Sequence, residues 1–344
     1  MRKGGNLLKQ IAKKRDKGKS TGHLGVASTK DEQRADSAAI EANQPKAVYF
    51  CATWPEQRKS AACERTLNIL RLLVKNDWHI TMFSAQKRNK ELTLPDATLK
   101  QYTVDPNDHK AVMMSLTRLG KVPDIAIFDT FITEEFYSHF IHRMWPDALK
   151  ILDTQDLHSL RVKRSEVFDK LLEEREKDSK DFLRKDEMEA VMRAWPSPAE
   201  DKICARELAS CYRSDLVFVS SDYEKLRLMT NYNLGNLATL PFFYYERTIK
   251  DQLATVKYID LERRKNFVWI GHFGHKANVL SLKLMITRLW PKILKRLPDA
   301  QFHIFGSNFT KEVSDLIEEC PGVVKKGLME NLKRLSRYRA LLAP

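Results

Sequence analysis

From Lys46 onward, short apolar runs alternate with stretches whose apolar residues recur at helical spacing, and this alternation constrains the fold more than any other feature. The runs are Ala47 to Ala52, Trp78 to Phe83, Leu99 to Val104, Asp124 to Phe128, Ala148 to Leu152, Asp215 to Val219 and Leu237 to Leu240. Helices are expected at Ser60 to Lys75, His109 to Leu119, Glu134 to Met144, Ala199 to Tyr212 and Asp222 to Tyr232. Strands that read as continuous apolar runs are covered on both faces, so the expectation is an α/β chain with a parallel sheet between layers of helix.

A second such unit spans Asn266 to Gly306. The strand Phe267 to Ile270 leads into the turn Gly271 to Asn278. A helix follows with Leu282, Met285, Ile286, Leu289, Ile293 and Leu297 on one stripe, and Gln301 to Phe305 returns as a strand closed by Gly306. The expected arrangement is a right-handed βαβ crossover. Gly271 and Gly274 would let the backbone approach a ligand, and the N-terminus of the helix offers N–H groups to phosphate, with His272, His275 and Lys276 adding donors. The plainer reading is that the glycines serve chain reversal alone. Beyond lie a helix at Lys311 to Glu319, a strand at Val323 and Val324, a helix at Asn331 to Tyr338 and a strand at Ala340 to Ala343.

A chain of 344 residues, 43% of them apolar, is long enough for two domains with proper cores. Residues 1–45 are polar and basic (Lys9, Lys13, Lys14, Arg15, Lys17, Lys19) and read as a disordered tail. Residues 46–241 form the first domain, 242–265 a linker and 266–344 a partial second domain. Within the first domain, 157–195 reads as one long charged helix, with acids and bases three and four apart, closed by Pro196 and Pro198. No run approaches the length needed to span a bilayer, and no secretory signal opens the chain. Five cysteines without metal-type spacing suit a reducing compartment, so a cytoplasmic location is expected, with organelle targeting or peripheral membrane contact through the basic tail as alternatives. The net charge of +14 is spread among acids with no arginine-rich arm, which argues against nucleic acid and for anionic substrates or a membrane surface.

The densest polar constellation is Asp153, Asp156, His158 and Arg161, at the carboxyl end of a strand, where open α/β sheets place their ligands. It offers a base of tunable pKa, a carboxylate to orient it and a fixed cation for phosphate. The plainer alternative is that the two aspartates cap the next helix and pair with Arg161. Trp54 and Arg65 after the first strand, and Asp129 after the fourth, would border the same crevice.

The chain from Ala47 onward resembles the retaining glycosyltransferases built of two Rossmann-like domains, the GT-B fold, of the glycogen-synthase-like kind called glycosyl transferase group 1. The resemblance rests on Trp54-Pro55 with Ser60 to Arg65, Pro123 to Asp129, the Asp156/His158 turn and Ser214 to Ser221. It rests most on Phe267 to Gly271 with Asn278, Trp290-Pro291, Pro298 and Phe305-Gly306. It implies a hexosyltransferase that moves a sugar from a nucleotide diphosphate sugar, the co-substrate, to an acceptor glycan, lipid or protein, with no other cofactor and no bound metal. The acceptor would lie on the first domain and the nucleotide on the second, where Gly271, His272, Gly274, Lys276 and Gly306 would meet the donor. Asp156 and His158 would act catalytically, with Trp54, Arg65, Asp129, Asp153 and Arg161 around them. The family's basic phosphate motif and paired glutamates come after the strand matching Ala340 to Ala343, so the second domain is expected to be truncated, with the chain as given either a working transferase or one without activity. The competing expectation is a noncatalytic module that binds a glycan, a membrane or a protein.

Overall fold

The computed structural model describes residues 44–56, 60–87, 92–94, 99–120, 122–174, 184–242, 259–329 and 332–342. The expected tail up to residue 43 and most of the linker, 243–258, lie outside the described residues. The chain divides into two compact units, the first carrying the strands up to β7 and the second those from β8.

In the first unit the strands are β1 (Lys46–Phe50), β2 (His79–Ser84), β3 (Leu99–Thr103), β4 (Ile125–Asp129), β5 (Leu149–Asp153), β6 (Leu216–Val219) and β7 (Leu237–Thr239). They form one sheet in the order β3-β2-β1-β4-β5-β6-β7, parallel throughout. Helices α1 (Ala61–Lys75), α2 (His109–Thr117), α3 (Phe131–Met144), α4 (His158–Glu173), α5 (Lys185–Arg193), α6 (Lys202–Arg213) and α7 (Asp222–Tyr232) connect them. Side chains alternate across each strand. Val48, Phe50, Phe128 and Leu152 therefore join one buried cluster, while Ala47, Tyr49, Ile127 and Ile151 join another on the opposite face. Both faces being covered is why these strands read as unbroken apolar runs. The order reverses between β1 and β4, which makes their carboxyl ends the switch point where such sheets leave a crevice.

The expected single helix over 157–195 is instead two, α4 and α5, with residues 175–183 outside the described set. The Arg164 guanidinium on α4 donates to the Met192 carbonyl of α5 at 3.1 Å, so the two helices run against each other. Charge pairing at helical spacing is indifferent to such a break, because each pair spans only one turn.

In the second unit β8 (Lys265–His272), β9 (Phe302–Ser307), β10 (Val323–Gly327) and β11 (Tyr338–Leu341) make a parallel sheet in the order β10-β9-β8-β11. The β8-to-β9 connection is helical, as α8 (Lys276–Leu284), a π-helical turn at Met285–Leu289 and α9 (Trp290–Arg296); α10 (Lys311–Glu318) leads to β10. The π turn corrects the expected stripe. Widening one turn to i→i+5 shifts the register, so Leu282, Met285, Ile286 and Trp290 face the core while Leu289 and Leu297 stay 37% and 41% exposed. Gly271, expected in the turn, lies inside β8, and the expected helix before β11 is a 3₁₀ segment at Leu332–Arg337.

Buried His303 on β9 sits between the Tyr338 hydroxyl at 2.8 Å and Gln301 Oε1 at 2.9 Å, one acceptor and one donor site for a neutral imidazole. Burial, with Lys326 nearby, lowers its pKa to about 4. A histidine depressed in the folded state is protonated first in the unfolded chain. The second unit should therefore lose up to about 3 kcal/mol as pH falls from roughly 6.5 toward 4. Denaturant titrations across that range test this: His303→Gln should flatten the slope, and an unchanged slope contradicts it.

Candidate functional site

The turn after β5 is built from its neighbours. Thr154 donates to the Phe218 carbonyl through both its N–H at 3.1 Å and its hydroxyl at 3.0 Å, and the Ser220 hydroxyl holds the Gln155 carbonyl. Gln155 takes a left-handed φ of 60°, which turns the chain out of the sheet plane. That turn brings Asp156 to the start of α4. Its Oδ1 meets His158 Nε2 at 3.1 Å and its Oδ2 accepts from Arg161 Nε at 2.7 Å. The His158 ring stands edge-on to Phe131 at the start of α3, 5.4 Å between centroids. Burial pushes the Asp156 carboxyl up, but the hydrogen bonds from His158 and Arg161 outweigh it and hold it below the usual carboxylate range. An ionised carboxylate, an imidazole and a guanidinium thus share one partly exposed turn.

Neither aspartate caps α4. Its N-cap is Leu157, which has no side-chain acceptor. Glu207, from the middle of α6, takes that place: it accepts from the His158 and Ser159 N–H groups at 2.9 and 3.2 Å and from the Ser159 hydroxyl at 2.5 Å. The sequence reading missed Glu207. Its signal was a carboxylate on the stripe that otherwise carries Cys204, Leu208 and Cys211.

Asp153 does not join the exposed group. Its carboxylate is locked to Arg65, which donates from Nε at 3.0 and 2.9 Å and from Nη2 at 2.7 Å, with both side chains 0% exposed. Asp129, beside Asp153 in register, is buried and accepts from the Ala52 N–H at 2.7 Å, which ties the ends of β1 and β4 together across the switch point. Burial drives its pKa well above the usual value against that backbone donor, and the Asp153 charge adds to the rise. Trp54 is also buried, its indole N–H on the Gln86 carbonyl at 2.6 Å. The structure therefore brings all seven first-unit residues to the carboxyl ends of neighbouring strands, with Asp156, His158 and Arg161 at the surface and Trp54, Arg65, Asp129 and Asp153 as the scaffold beneath. Thr130, which stands with Asp129 on the same edge of the expected crevice, has a φ of 111° and a buried hydroxyl that has no partner among the described residues. No sequence signal marks that φ, since a β-branched residue rarely takes it.

In the second unit Gly271, His272, Gly274 and Lys276 gather at the carboxyl end of β8, and Gly306 is the partner of Gly271 in β9. The two strand glycines answer to packing. A Cβ on Gly271 would lie 2.2 Å from the Trp269 ring, and one on Gly306 2.0 Å from the Gly271 carbonyl oxygen. A Cβ on Gly274 would meet His272 Nε2 at 2.7 Å. The His272 ring is held by the Ser307 hydroxyl at 2.8 Å and Asn308 at 3.4 Å, and the Asn278 amide donates to the His272 carbonyl at 3.0 Å. The N-cap of α8, His275, makes no side-chain capping bond. The helix start carries a partial positive charge beside two imidazoles and Lys276, an arrangement suited to an anion.

No protein-family model matches the chain, and no curated protein matches it. Solved structures do. TarM shares 8% identity at a TM-score of 0.55, covering 87% of this chain and 80% of its own. The lipopolysaccharide outer core galactosyltransferase WaaB shares 10% at a TM-score of 0.51, covering 87% of this chain and 74% of its own. At such identities the likeness is one of fold. With two parallel α/β sheets of this order, the chain matches the Rossmann-like domains of GT-B glycosyltransferases.

Proposed function

We propose that the chain is a glycosyltransferase that moves a sugar from a nucleoside diphosphate sugar to an acceptor hydroxyl on a glycan, lipid or protein, with retention at the anomeric carbon. The observation that carries this reading is the coincidence of chemistry with topology in each sheet. Both sheets reverse order beside their first strand, and each gathers polar side chains at the carboxyl end of a strand at that point or next to it. The fold shared with WaaB, a galactosyltransferase by name, agrees with it.

The work divides between the units. The start of α8, with His272 and Lys276, takes the diphosphate, whose negative charge grows as the bond from the anomeric carbon to the phosphate oxygen breaks. The first unit takes the acceptor, and Asp156 with His158 orients its hydroxyl and manages its proton while the new bond to the anomeric carbon forms. Arg161 keeps Asp156 ionised and in place.

Titration calorimetry of the intact chain with UDP, ADP and GDP tests the anion site. At least one is expected to bind, and His272→Ala combined with Lys276→Ala should weaken it about tenfold or more, as loss of charge-assisted bonds does. Absence of binding by all three counts against the reading. Binding without any later turnover would move the assignment to a noncatalytic module.

A further inference from the structure

Glu207 is an expensive residue where it stands. Only 4% exposed, it lies among Cys204, Leu208 and Cys211 on the inner stripe of α6, where an apolar residue would pack as well. Burial pushes its pKa up against the hydrogen bonds it accepts. All of those bonds go to one place, the first turn of α4: two backbone N–H groups and the Ser159 hydroxyl. The helix it grows from is itself firmly tied. Asp201 caps its N-terminus through the Ile203 and Cys204 N–H groups, at 2.7 and 3.2 Å. Arg206 and Arg213 anchor it to Glu135 and Glu134 of α3, with closest approaches of 2.5 Å each. A fixed post therefore grips the one turn that carries His158 and follows Asp156.

The grip acts on the backbone that aims the reactive pair. Glu207 Oε1 holds the N–H of His158 itself, while the ring of the same residue reaches Asp156 at a contact of 3.1 Å, which a small rotation of the turn would break. Leu157 has no side-chain acceptor to replace the grip.

We propose that Glu207 is a positioning residue for the Asp156–His158 pair: it clamps the first turn of α4 in the orientation that keeps the imidazole on the carboxylate. This rests on the catalytic reading of that pair given above.

The test uses the full chain. Glu207→Ala is expected to lower kcat about 10–100-fold with KM for the nucleotide sugar within about twofold, because misplacement of a catalytic group acts on the chemical step while the nucleotide binds elsewhere. Glu207→Gln, which keeps the shape and one acceptor oxygen for the His158 N–H but turns its NH2 toward Ser159, should restore part of the rate. Glu134→Ala is the control, since it breaks a buried carboxylate anchor on the other side of α6 without touching α4. It should lose comparable thermal stability and keep kcat within about twofold of the parent, because the Asp201 cap and the Arg206–Glu135 pair still hold α6. If Glu207→Ala does not fold, Glu207→Asp, which falls short of the turn by one methylene, carries the same expectation. The proposal is overturned if the Glu207 variants lose stability but match the Glu134 control in kcat. A chain that turns over no nucleotide sugar defeats the catalytic reading instead. The clamp is then judged by the amide proton signals of His158 and Ser159: displacement in Glu207→Asp supports it, and signals unmoved from the parent overturn it.

Discussion

Arg65→Ala is expected to destabilise the first unit by about 3–5 kcal/mol, a large part of what holds a typical domain folded. The guanidinium spends four hydrogen bonds inside the protein. Three go to the Asp153 carboxylate and the fourth to the Leu240 carbonyl at 2.6 Å, beyond the end of β7. Phe242 lies 5.3 Å from it on its other side. One side chain on α1 therefore pins the end of β5 and the segment after β7. Its removal leaves a carboxylate with no exposure and no counter-ion, beside the equally buried Asp129. Arg65→Met with Asp153→Leu removes both charges, so the double variant should recover most of the loss, since the desolvation cost goes with the charges. Denaturant melts of the three proteins, read on the first unit's transition, measure this. A loss under about 1 kcal/mol for Arg65→Ala would show that the pair is not the latch described.

Asp156→Ala should do the reverse, leaving stability within about 1 kcal/mol and lowering kcat about 10²–10⁴-fold. The small effect on stability follows from exposure. Its partner Arg161 is 62% exposed and Asp156 itself 46%, and half-solvated ion pairs contribute little. Nor does the helix lose its cap, because Glu207 holds that place. The large effect on rate follows from the proposed role. Asp156→Asn keeps the shape and should be nearly as poor, because the charge that orients His158 is lost. The pH dependence has a definite sign. A carboxylate held below its ordinary value contributes fully above about pH 4, and that contribution is lost only as pH falls through the lower folded value. Titration of Asp156 should therefore not limit the rate between about pH 5 and 8. If Asp156→Ala keeps kcat within about threefold of the parent, the turn is structural and the catalytic assignment fails.

What the sequence made legible was whatever is local. Strands buried on both faces show themselves as apolar runs, so β1, β2, β4 and β5 sit within a residue or two of where the runs place them. Candidate residues emerged because they stand at strand ends, and parallel order brings strand ends together. Partnership across the chain was hidden. Nothing near Arg65 says that its carboxylate lies 88 residues away, and nothing near Leu157 says that a glutamate from another helix caps α4. The polar turn Asp153 to Arg161 looked like one constellation; burial divides it, with Asp153 locked below and Asp156 above. The Leu289 expectation failed for a geometric reason, since a π turn cannot be read from a 3.6-residue period. The glycines of β8 and β9 were read for ligand approach or for chain reversal; the packing that also demands them, of the Trp269 ring beside Gly271 and a strand carbonyl beside Gly306, depends on contacts that a sequence does not display.

The most direct test of the central claim is release of nucleoside diphosphate from a panel of UDP-, GDP- and ADP-sugars by the intact chain, with candidate acceptors present and the product's anomeric configuration read by NMR. The account predicts turnover of at least one donor, retention in the product, and loss of that turnover in Asp156→Ala. Absence of turnover with every donor, from a protein that binds nucleoside diphosphate, would contradict it.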